Sequence, residues 1–332
     1  MALPLMAVLA PQPAALACAL VMDAALGDPV YAAHPVRLIG RTLTTFERGL
    51  RTVGADGYVG GIILFLALSV VWVAGISALL VFVHAASPAV AWIVHVFVVY
   101  SLFAIGDLIA HVWRVEHAVR RGDLPTARRS LSELVGRDTE RMEPGDCRRA
   151  AIESLSENLT DGFTSPLFWD VVAGVPGLVL FKVVSTMDSM VGYKTPEYLR
   201  FGWCGARMDD AMNFVPARLT WIFIALTSAV IPGCSGRKAM RIGWQQHAVL
   251  PGPNSGWSEA ATAGAIQGRL VGPIRVNGSL VTDAWLGDPA DPPVESAHAF
   301  SLAVVVTVAS AALASAIALG YLAFAPRAFT SY

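Results

Sequence analysis

The first group of residues suited to catalysis or ligand binding is a series of carboxylates in the middle of the chain. Glu153, Glu157 and Asp161 are spaced four residues apart, so they share one face of a predicted helix. Like charges stacked in this way repel one another, and a bound cation would stabilise them. The alternative is an ordinary solvated helix face. Asn158 and a turn predicted at Asp161 favour the interpretation as a ligand-binding site. Acidic groups beside an apolar run usually need a partner.

A second acidic set follows at Asp209-Asp210-x-x-Asn213. It resembles the motifs that hold magnesium–diphosphate, since hard oxygen ligands one helical turn apart suit Mg²⁺. The alternative is an ordinary helix N-terminus with Asp209 as its cap. Together the two sets predict a magnesium site. The predicted ligands are Glu157, Asp161, Asp209, Asp210 and Asn213.

Positive side chains are interleaved with these acids, and Lys and Arg are the usual partners of phosphate. Dispersed ion pairs or snorkelling from a membrane edge are the alternatives, and for Arg218 they are evenly balanced against phosphate binding. Asn254 and Ser255 open a predicted helix whose N-terminus would receive an anion, although the small residues that follow are equally typical of close helix packing. His34 is either a substrate contact or a structural residue. The predicted substrate- and phosphate-binding residues are His34, Arg37, Asn158, Lys194, Arg207, Arg218, Asn254, Ser255 and Arg269.

The composition indicates the kind of element that must position these groups. The chain is 55% hydrophobic with a mean hydropathy of +0.56, and only 15% of its residues are charged. A soluble domain has roughly 25% charged residues, so the sequence predicts a multi-pass membrane protein. The net charge of −1 excludes bulk attraction to nucleic acid. The four cysteines form no CxxC pair, which excludes a structural zinc site and a disulfide framework.

Hydropathy predicts an all-α membrane helical bundle with about four to six membrane segments, one or two of them re-entrant. Strong spans are predicted at 60–83, 89–112 and 300–325. Weaker candidates are 5–26, 166–190 and 215–232. The run 166–190 is broken at Gly174-Val175-Pro176-Gly177, which favours a re-entrant hairpin. Asp123 and Asp146 are predicted N-caps of helices in the polar region that follows the second span.

The whole chain, 1–332, is predicted to be a single integral membrane domain whose polar loops contain the motifs. These loops are 27–59, 113–165, 182–214 and 233–299. All four are basic, so the Lys/Arg bias places them in the cytoplasm if 166–181 and 215–232 are both re-entrant. If both of those segments span instead, the loop 182–214 lies outside. We prefer the first arrangement because it keeps the motifs on one side.

Several runs together resemble one family, the membrane-bound adenosylcobinamide-phosphate synthases of cobalamin biosynthesis. They are spread over most of the chain and are specific in combination. The matching runs are GDPVYAAHPVRLIG (27–40), VGRDT (135–139), ESLSENLTDGFTSPLFW (153–169), KVVSTMDSMVGYK (182–194), FGWCGARMDDAMNFVPARLT (201–220) and NSGWSEAATAGAIQGRLVGP (254–273). The family pattern usually has Asn where this chain has Ser185, so Ser185 is left out of the predicted site.

The resemblance implies an ATP-dependent ligase that joins adenosylcobyric acid to (R)-1-amino-2-propanol O-phosphate or to aminopropanol. It implies Mg²⁺, with ATP as cosubstrate and the corrinoid as substrate, in the bacterial cytoplasmic membrane with the site facing the cytoplasm. The lipid bilayer is a partner, nucleic acid is not, and a homo-oligomer is left open. The catalytic residues predicted on this basis are Glu153, Glu157, Asp188 and Lys182.

Two other functions compete with this one. The motif at Asp209–Asn213 with apolar helices is also typical of a membrane prenyltransferase-like enzyme, which would use an isoprenoid diphosphate and no ATP. Re-entrant helices with charged residues are typical of an anion transporter, which would predict an inverted repeat. The sequence shows no such repeat.

Overall fold

The structure is a computed structural model that describes residues 7–28, 31 and 34–324. Helices dominate it, which confirms the predicted class. The helices are α1 Pro13–Leu26, α2 Pro35–Thr52, α3 Tyr58–Ala86, α4 Pro88–Tyr100, α5 Ile105–Arg120, α6 Leu124–Ser132, α7 Pro144–Asn158, α8 Ser165–Val191, α9 Trp203–Ser228, α10 Gly236–Gln246, α11 Ser255–Ala265 and α12 Ala297–Phe324. A π-helical turn, Val70–Ala74, lies inside α3, and another, Leu159–Thr164, joins α7 to α8.

Four helical stretches are long and apolar enough to cross a membrane, as expected of a polytopic membrane protein. They are Tyr58–Ala86, Pro88–Arg120, Pro144–Val191 and Ala297–Phe324. The candidate 5–26 lies partly outside the described residues, and its helix α1 has 14 residues where about 20 are needed to span. The candidate 215–232 is the second half of α9, which is not among the four.

Prolines set several helix starts, since proline is well tolerated in the first helical turn. Pro88 and Pro144 begin α4 and α7 in this way. Asp123 caps α6 as predicted, because its carboxylate accepts a hydrogen bond from Thr126 N at 3.1 Å. The predicted cap at Asp146 is wrong: α7 begins earlier, and the Asp146 carboxylate instead accepts a hydrogen bond from Glu143 N at 3.0 Å. The predicted span 89–112 lies within the membrane-length stretch Pro88–Arg120, in which a turn at 101–104 separates α4 from α5.

The break predicted in the middle of α8 is confirmed at Gly174. Its φ of 63° and ψ of −157° are not helical. A Cβ on Gly174 would lie 2.0 Å from the carbonyl oxygen of Leu9, which accepts a hydrogen bond from Val175 N at 3.1 Å. Glycine is therefore required both for its backbone conformation and for this close approach. Whether the segment re-enters the membrane stays a prediction.

The chain forms two compact units, each with its own interior. Unit 1 contains the described residues before 105, together with 165–212 and 316–324. Its core joins α2, α3 and α8. The buried residues of that core are Ile39, Leu43, Leu64, Leu68, Val183, Met187, Val191 and Phe201. The single-domain prediction stays a prediction.

Unit 2 contains residues 105–164 and 213–315. Helix α11 packs closely on α10 and is entirely buried after its first residue. A Cβ on Gly264 would lie 2.6 Å from the carbonyl oxygen of Lys238, so the small residues of α11 do permit close helix packing. Helix α7 packs beside α5, α6 and α11.

Unit 2 also contains two short antiparallel strand pairs that the all-helical prediction did not include. Strand β1, Leu270–Val271, pairs with β4, Trp285–Leu286, and β2, Ile274–Val276, pairs with β3, Ser279–Thr282. Asn277 and Gly278 form the turn between β2 and β3 with positive φ values of 50° and 76°. Asn-Gly between apolar runs is a strong hairpin signal, and it was present in the sequence.

Candidate functional site

A cavity of about 280 Å³ lies within unit 2, where α7, α11 and the strands meet. It has an acidic side and an apolar side. Its polar side chains include three glutamates and one arginine. The lining residues are Leu134, Val135, Gly136, Arg137, Glu153, Ser154, Glu157, Leu250, Glu259, Val271, Ile274 and Val276. The prediction that Glu153 and Glu157 share one helix face is confirmed, because both line this cavity.

Glu153 is buried and firmly held in the cavity wall. Its carboxylate forms an ion pair with Arg137 and accepts a hydrogen bond from the backbone N–H of Val271 at 2.8 Å. The carbonyl of Val271 in turn accepts a hydrogen bond from Nε of Arg149 at 3.0 Å. The positive charge of Arg137 therefore balances the negative charge of the Glu153 carboxylate, and the backbone N–H of β1 fixes its position.

Glu259 is the main residue that the sequence analysis missed. It lies in α11, lines the cavity and is only 6% exposed. Burial raises the pKa of its carboxyl well above the usual value, and the charges of Glu157 and Glu153 raise it further, while Arg137 opposes them. The signal was available: Glu259 is the one charged residue in the run from Ser255 to Ala265.

Asp161 lies in the π-helical turn Leu159–Thr164, so the turn predicted at this position is instead helical. The hydroxyl of Thr164 donates to the carbonyl of Leu159 at 2.9 Å and closes this wide turn. Asp161 is close enough to Glu259 to raise the pKa of that carboxyl. Turns of this kind are frequent at functional sites. The neighbouring Asn158 donates from its amide to Ser154 O at 2.9 Å.

The β2–β3 hairpin forms the apolar wall of the cavity through Ile274 and Val276. Its turn is anchored by Asp138, whose carboxylate accepts hydrogen bonds from Asn277 N at 3.0 Å and Gly278 N at 2.7 Å. The position of the wall is therefore tied to the VGRDT run, which includes Asp138.

Other predicted anion-binding residues of unit 2 are packed against aromatic rings. The Arg218 guanidinium lies 3.5 Å from the ring centre of Phe214 and 4.8 Å from that of Trp257, and it donates to the side-chain oxygen Oδ1 of Asn254 at 3.5 Å. Ser255 is the first residue of α11, as predicted. Arg269 lies 4.8 Å from the ring centre of Trp285, and among the described residues its Nε has no hydrogen-bond partner.

The second acidic set lies on α9. Because this helix begins at Trp203, Asp209 is inside it, and the alternative that Asp209 caps its N-terminus is wrong. Asp210 pairs with Arg207 at 3.3 Å, with side chains 34% and 66% exposed. Asn213, one turn further on, is buried.

The remaining predicted residues belong to unit 1. His34 is buried, and its Nε2 lies 2.7 Å from a carboxylate oxygen of Asp28, which favours the structural interpretation. Lys182 is buried, with its Nζ 5.9 Å from the ring centre of Phe181. Three further residues line no described cavity. Asp188 is half-buried, and Arg37 and Lys194 are exposed.

The acidic residues were also compared with the needs of a metal ion. Among residues 7–28, 31 and 34–324, no group of three or more His, Cys, Asp or Glu side chains is arranged to hold a metal. Mg²⁺ usually binds one or two carboxylates together with waters and substrate phosphates, so it does not require such a group. The oxygen donors of Glu157, Asp161, Asp209 and Asp210 have the right chemistry for this mode, and the magnesium site stays a prediction.

Comparison with known proteins identifies relatives. The model of the CobD/Cbib protein family matches residues 16–307. A cobalamin biosynthesis protein CobD of Pelobacter propionicus is 41% identical over 84% of this chain and 86% of its own length. A CobD of Klebsiella pneumoniae is 36% identical over 81% and 85%, and a cobalamin biosynthesis protein CbiB of Salmonella typhi is 38% identical over 81% and 85%. No solved structure shows significant similarity.

Proposed function

Since this chain belongs to the CobD/CbiB family, we propose that it forms an amide bond at the expense of ATP in cobalamin biosynthesis. The acid substrate is adenosylcobyric acid. The amine is (R)-1-amino-2-propanol O-phosphate or aminopropanol. The product with the phosphorylated amine is adenosylcobinamide phosphate.

The observation that best supports this proposal is the cavity of unit 2. It combines the buried carboxylates of Glu153 and Glu259 with apolar side chains, and its volume of about 280 Å³ is just below the range for drug-sized ligands. A small amine has one cationic end and a short apolar chain, so it matches both sides of this cavity.

The chemistry requires that a poor acyl donor be activated. A carboxylate would have to expel oxide, so ATP first phosphorylates the propionate and releases ADP. The amine nitrogen then attacks the acyl phosphate, the C–N bond forms and inorganic phosphate leaves. A base must take one proton from the ammonium before attack. Glu153 or Asp188 is proposed for that role, and Glu157 and Lys182 complete the catalytic set.

Phosphate groups need cationic partners in this reaction. Lys182, Lys194, Arg207 and Arg269 are proposed to bind them, and Arg218 presents a guanidinium framed by aromatic rings. When bound, Mg²⁺ would neutralise phosphate charge, held by the carboxylates of Glu157, Asp161, Asp209 and Asp210. Because ATP is cytoplasmic, the motif loops are proposed to face the cytoplasm from the inner membrane.

A reconstitution assay tests the proposal. Purified protein in detergent is given adenosylcobyric acid, ATP and Mg²⁺, with each of the two amines in separate reactions. We expect an amide product that forms together with ADP and phosphate, detected by mass spectrometry and nucleotide analysis. Absence of product with both amines, or product without nucleotide consumption, would refute the ligase. Turnover of an isoprenoid diphosphate without ATP would instead support the prenyltransferase-like alternative.

A further inference from the structure

We infer that Glu259 binds the ammonium group of the amine substrate at the acidic side of the unit 2 cavity. The inference rests on the proposed function and names the subsite for one of its substrates. None of the motifs that predicted the site assigned a role to Glu259. Three features of its surroundings lead to this assignment: its lack of a partner, the arrangement of its neighbours and the size of the cavity.

Glu259 lines the cavity, and more than nine-tenths of it is buried. Among the described residues no donor forms a hydrogen bond to its carboxyl oxygens. The guanidinium that lines the same cavity, Arg137, is bound to Glu153. A buried carboxyl without a donor is costly unless a ligand supplies one.

Glu259 is not among the carboxylates proposed above to hold Mg²⁺, and its surroundings suit an ammonium group. An ammonium needs only hydrogen-bond acceptors at about 2.8 Å, which a single carboxylate can supply. The cavity is also lined by Leu250, Ile274 and Val276, whose apolar side chains suit the short carbon chain of an aminopropanol.

The size of the cavity favours the amine over the corrinoid. Pockets for drug-sized ligands measure roughly 300–1,000 Å³, and this cavity of about 280 Å³ lies just below that range. A corrinoid macrocycle is far larger than a drug-sized ligand, so it cannot enter. The aminopropanol portion of the reaction is the part that fits.

The first test needs no variant. Calorimetry in detergent compares the binding of (R)-1-amino-2-propanol O-phosphate with that of propane-1,2-diol 2-phosphate, in which a hydroxyl replaces the amine. We expect the wild-type protein to bind the amine at least about tenfold more tightly, the effect of one charge-assisted hydrogen bond. Equal affinities would overturn the inference. The preference should persist in EDTA, because Glu259 is not one of the proposed magnesium ligands; a preference that is lost in EDTA would assign the selectivity to the metal and overturn the inference.

The second test is Glu259→Gln, which keeps the shape of the side chain and removes its charge. We expect the preference for the amine over the diol to fall below about threefold, while the KM for ATP stays within twofold of the wild-type value. Glu140→Gln, at an exposed carboxylate, is the matched control and should retain the preference. An unchanged preference in Glu259→Gln would contradict the inference. If that variant does not fold, the wild-type comparison still decides.

The calorimetric comparisons of the amine with the diol use neither ATP nor corrinoid, so they separate the two claims. A wild-type protein that makes the amide but shows no amine preference would leave the ligase standing and remove the Glu259 site. A protein that binds the amine through Glu259 but makes no amide would support the Glu259 site and refute the ligase.

Discussion

The two acidic sets of the molecule differ in how far the protein itself fixes them. In unit 2, Glu153 is 3% exposed, paired with Arg137 and bound by a backbone N–H. In unit 1, Asp210 is 34% exposed, and its partner Arg207 is 66% exposed. Glu153 is therefore held in a protein interior, whereas Asp210 is partly in contact with solvent.

This difference indicates different roles. Charges held in a site that excludes water act strongly and need no reorganisation when a ligand arrives. Exposed charges are screened by water and salt, and they gain strength only when a ligand covers them. Under the proposed function, Glu259 in unit 2 would recognise a small cation, whereas Asp209 and Asp210 would help to hold an ion that arrives together with a phosphate.

The largest effect should follow from breaking the buried pair. Arg137→Met leaves the carboxylate of Glu153 buried without its cation, which typically costs about 3–5 kcal/mol. We expect a large loss of thermal stability, measured by the unfolding of the purified protein in detergent. Arg141→Met removes an exposed arginine from the same loop and is the control. Equal stability of the two variants would show that Glu153 is not held as described.

The next largest effect should be a loss of activity when a carboxylate of the Asp209–Asp210 set is removed. Asp210→Ala removes a proposed magnesium ligand, and we expect kcat/KM for the ligase to fall at least about 100-fold, or about 2.7 kcal/mol in transition-state stabilisation. Thermal stability should change little, because the side chain is partly exposed. Asp56→Ala, at an exposed carboxylate of unit 1, is the control. Near-normal turnover of Asp210→Ala would refute its metal role.

A smaller effect should appear in the pH dependence of stability. The folded protein raises the pKa of Glu259 above its ordinary value of 4.5, so the folded state binds this proton more tightly than the unfolded state. The contribution of Glu259 is therefore greatest below pH 4.5 and is lost as the pH rises through the raised pKa. Between pH 5 and 8, the stability of Glu259→Gln should therefore fall less than that of the wild type. Thermal unfolding in a series of buffers measures both. Parallel curves for the variant and the wild type would contradict the burial of an ionisable group.

The sequence predicted those parts of the fold that a single local sequence pattern determines. Long apolar runs predicted the membrane helices, and the glycines around Pro176 predicted the break in α8. Hydropathy did not resolve the turn at 101–104, because apolar residues continue through it. The β2–β3 hairpin was missed although Asn277-Gly278 is a turn signal, because its strands are too short for periodicity to reveal.

The site was predicted only in part, because spacing reports neighbours along one helix and not across helices. Glu153 and Glu157 were found together since they are one turn apart on α7. Glu259 is 102 positions beyond Glu157, so only the packing of α11 beside α7 could place it in the same cavity. Asp161 was assigned to a turn because no sequence pattern distinguishes a π-helical turn from a Gly-containing loop.

The smallest effect on stability should come from Arg207→Gln. Its pair with Asp210 joins two partly exposed side chains three residues apart on one helix, and such pairs contribute about 0.3–0.5 kcal/mol. We therefore expect thermal unfolding close to that of the wild type, in contrast to Arg137→Met. The proposed contact with phosphate should still be visible as a higher KM for ATP with the KM for the amine unchanged. A loss of stability as large as that of Arg137→Met would show that the α9 set is also fixed in an interior, and the contrast between the two acidic sets would no longer hold.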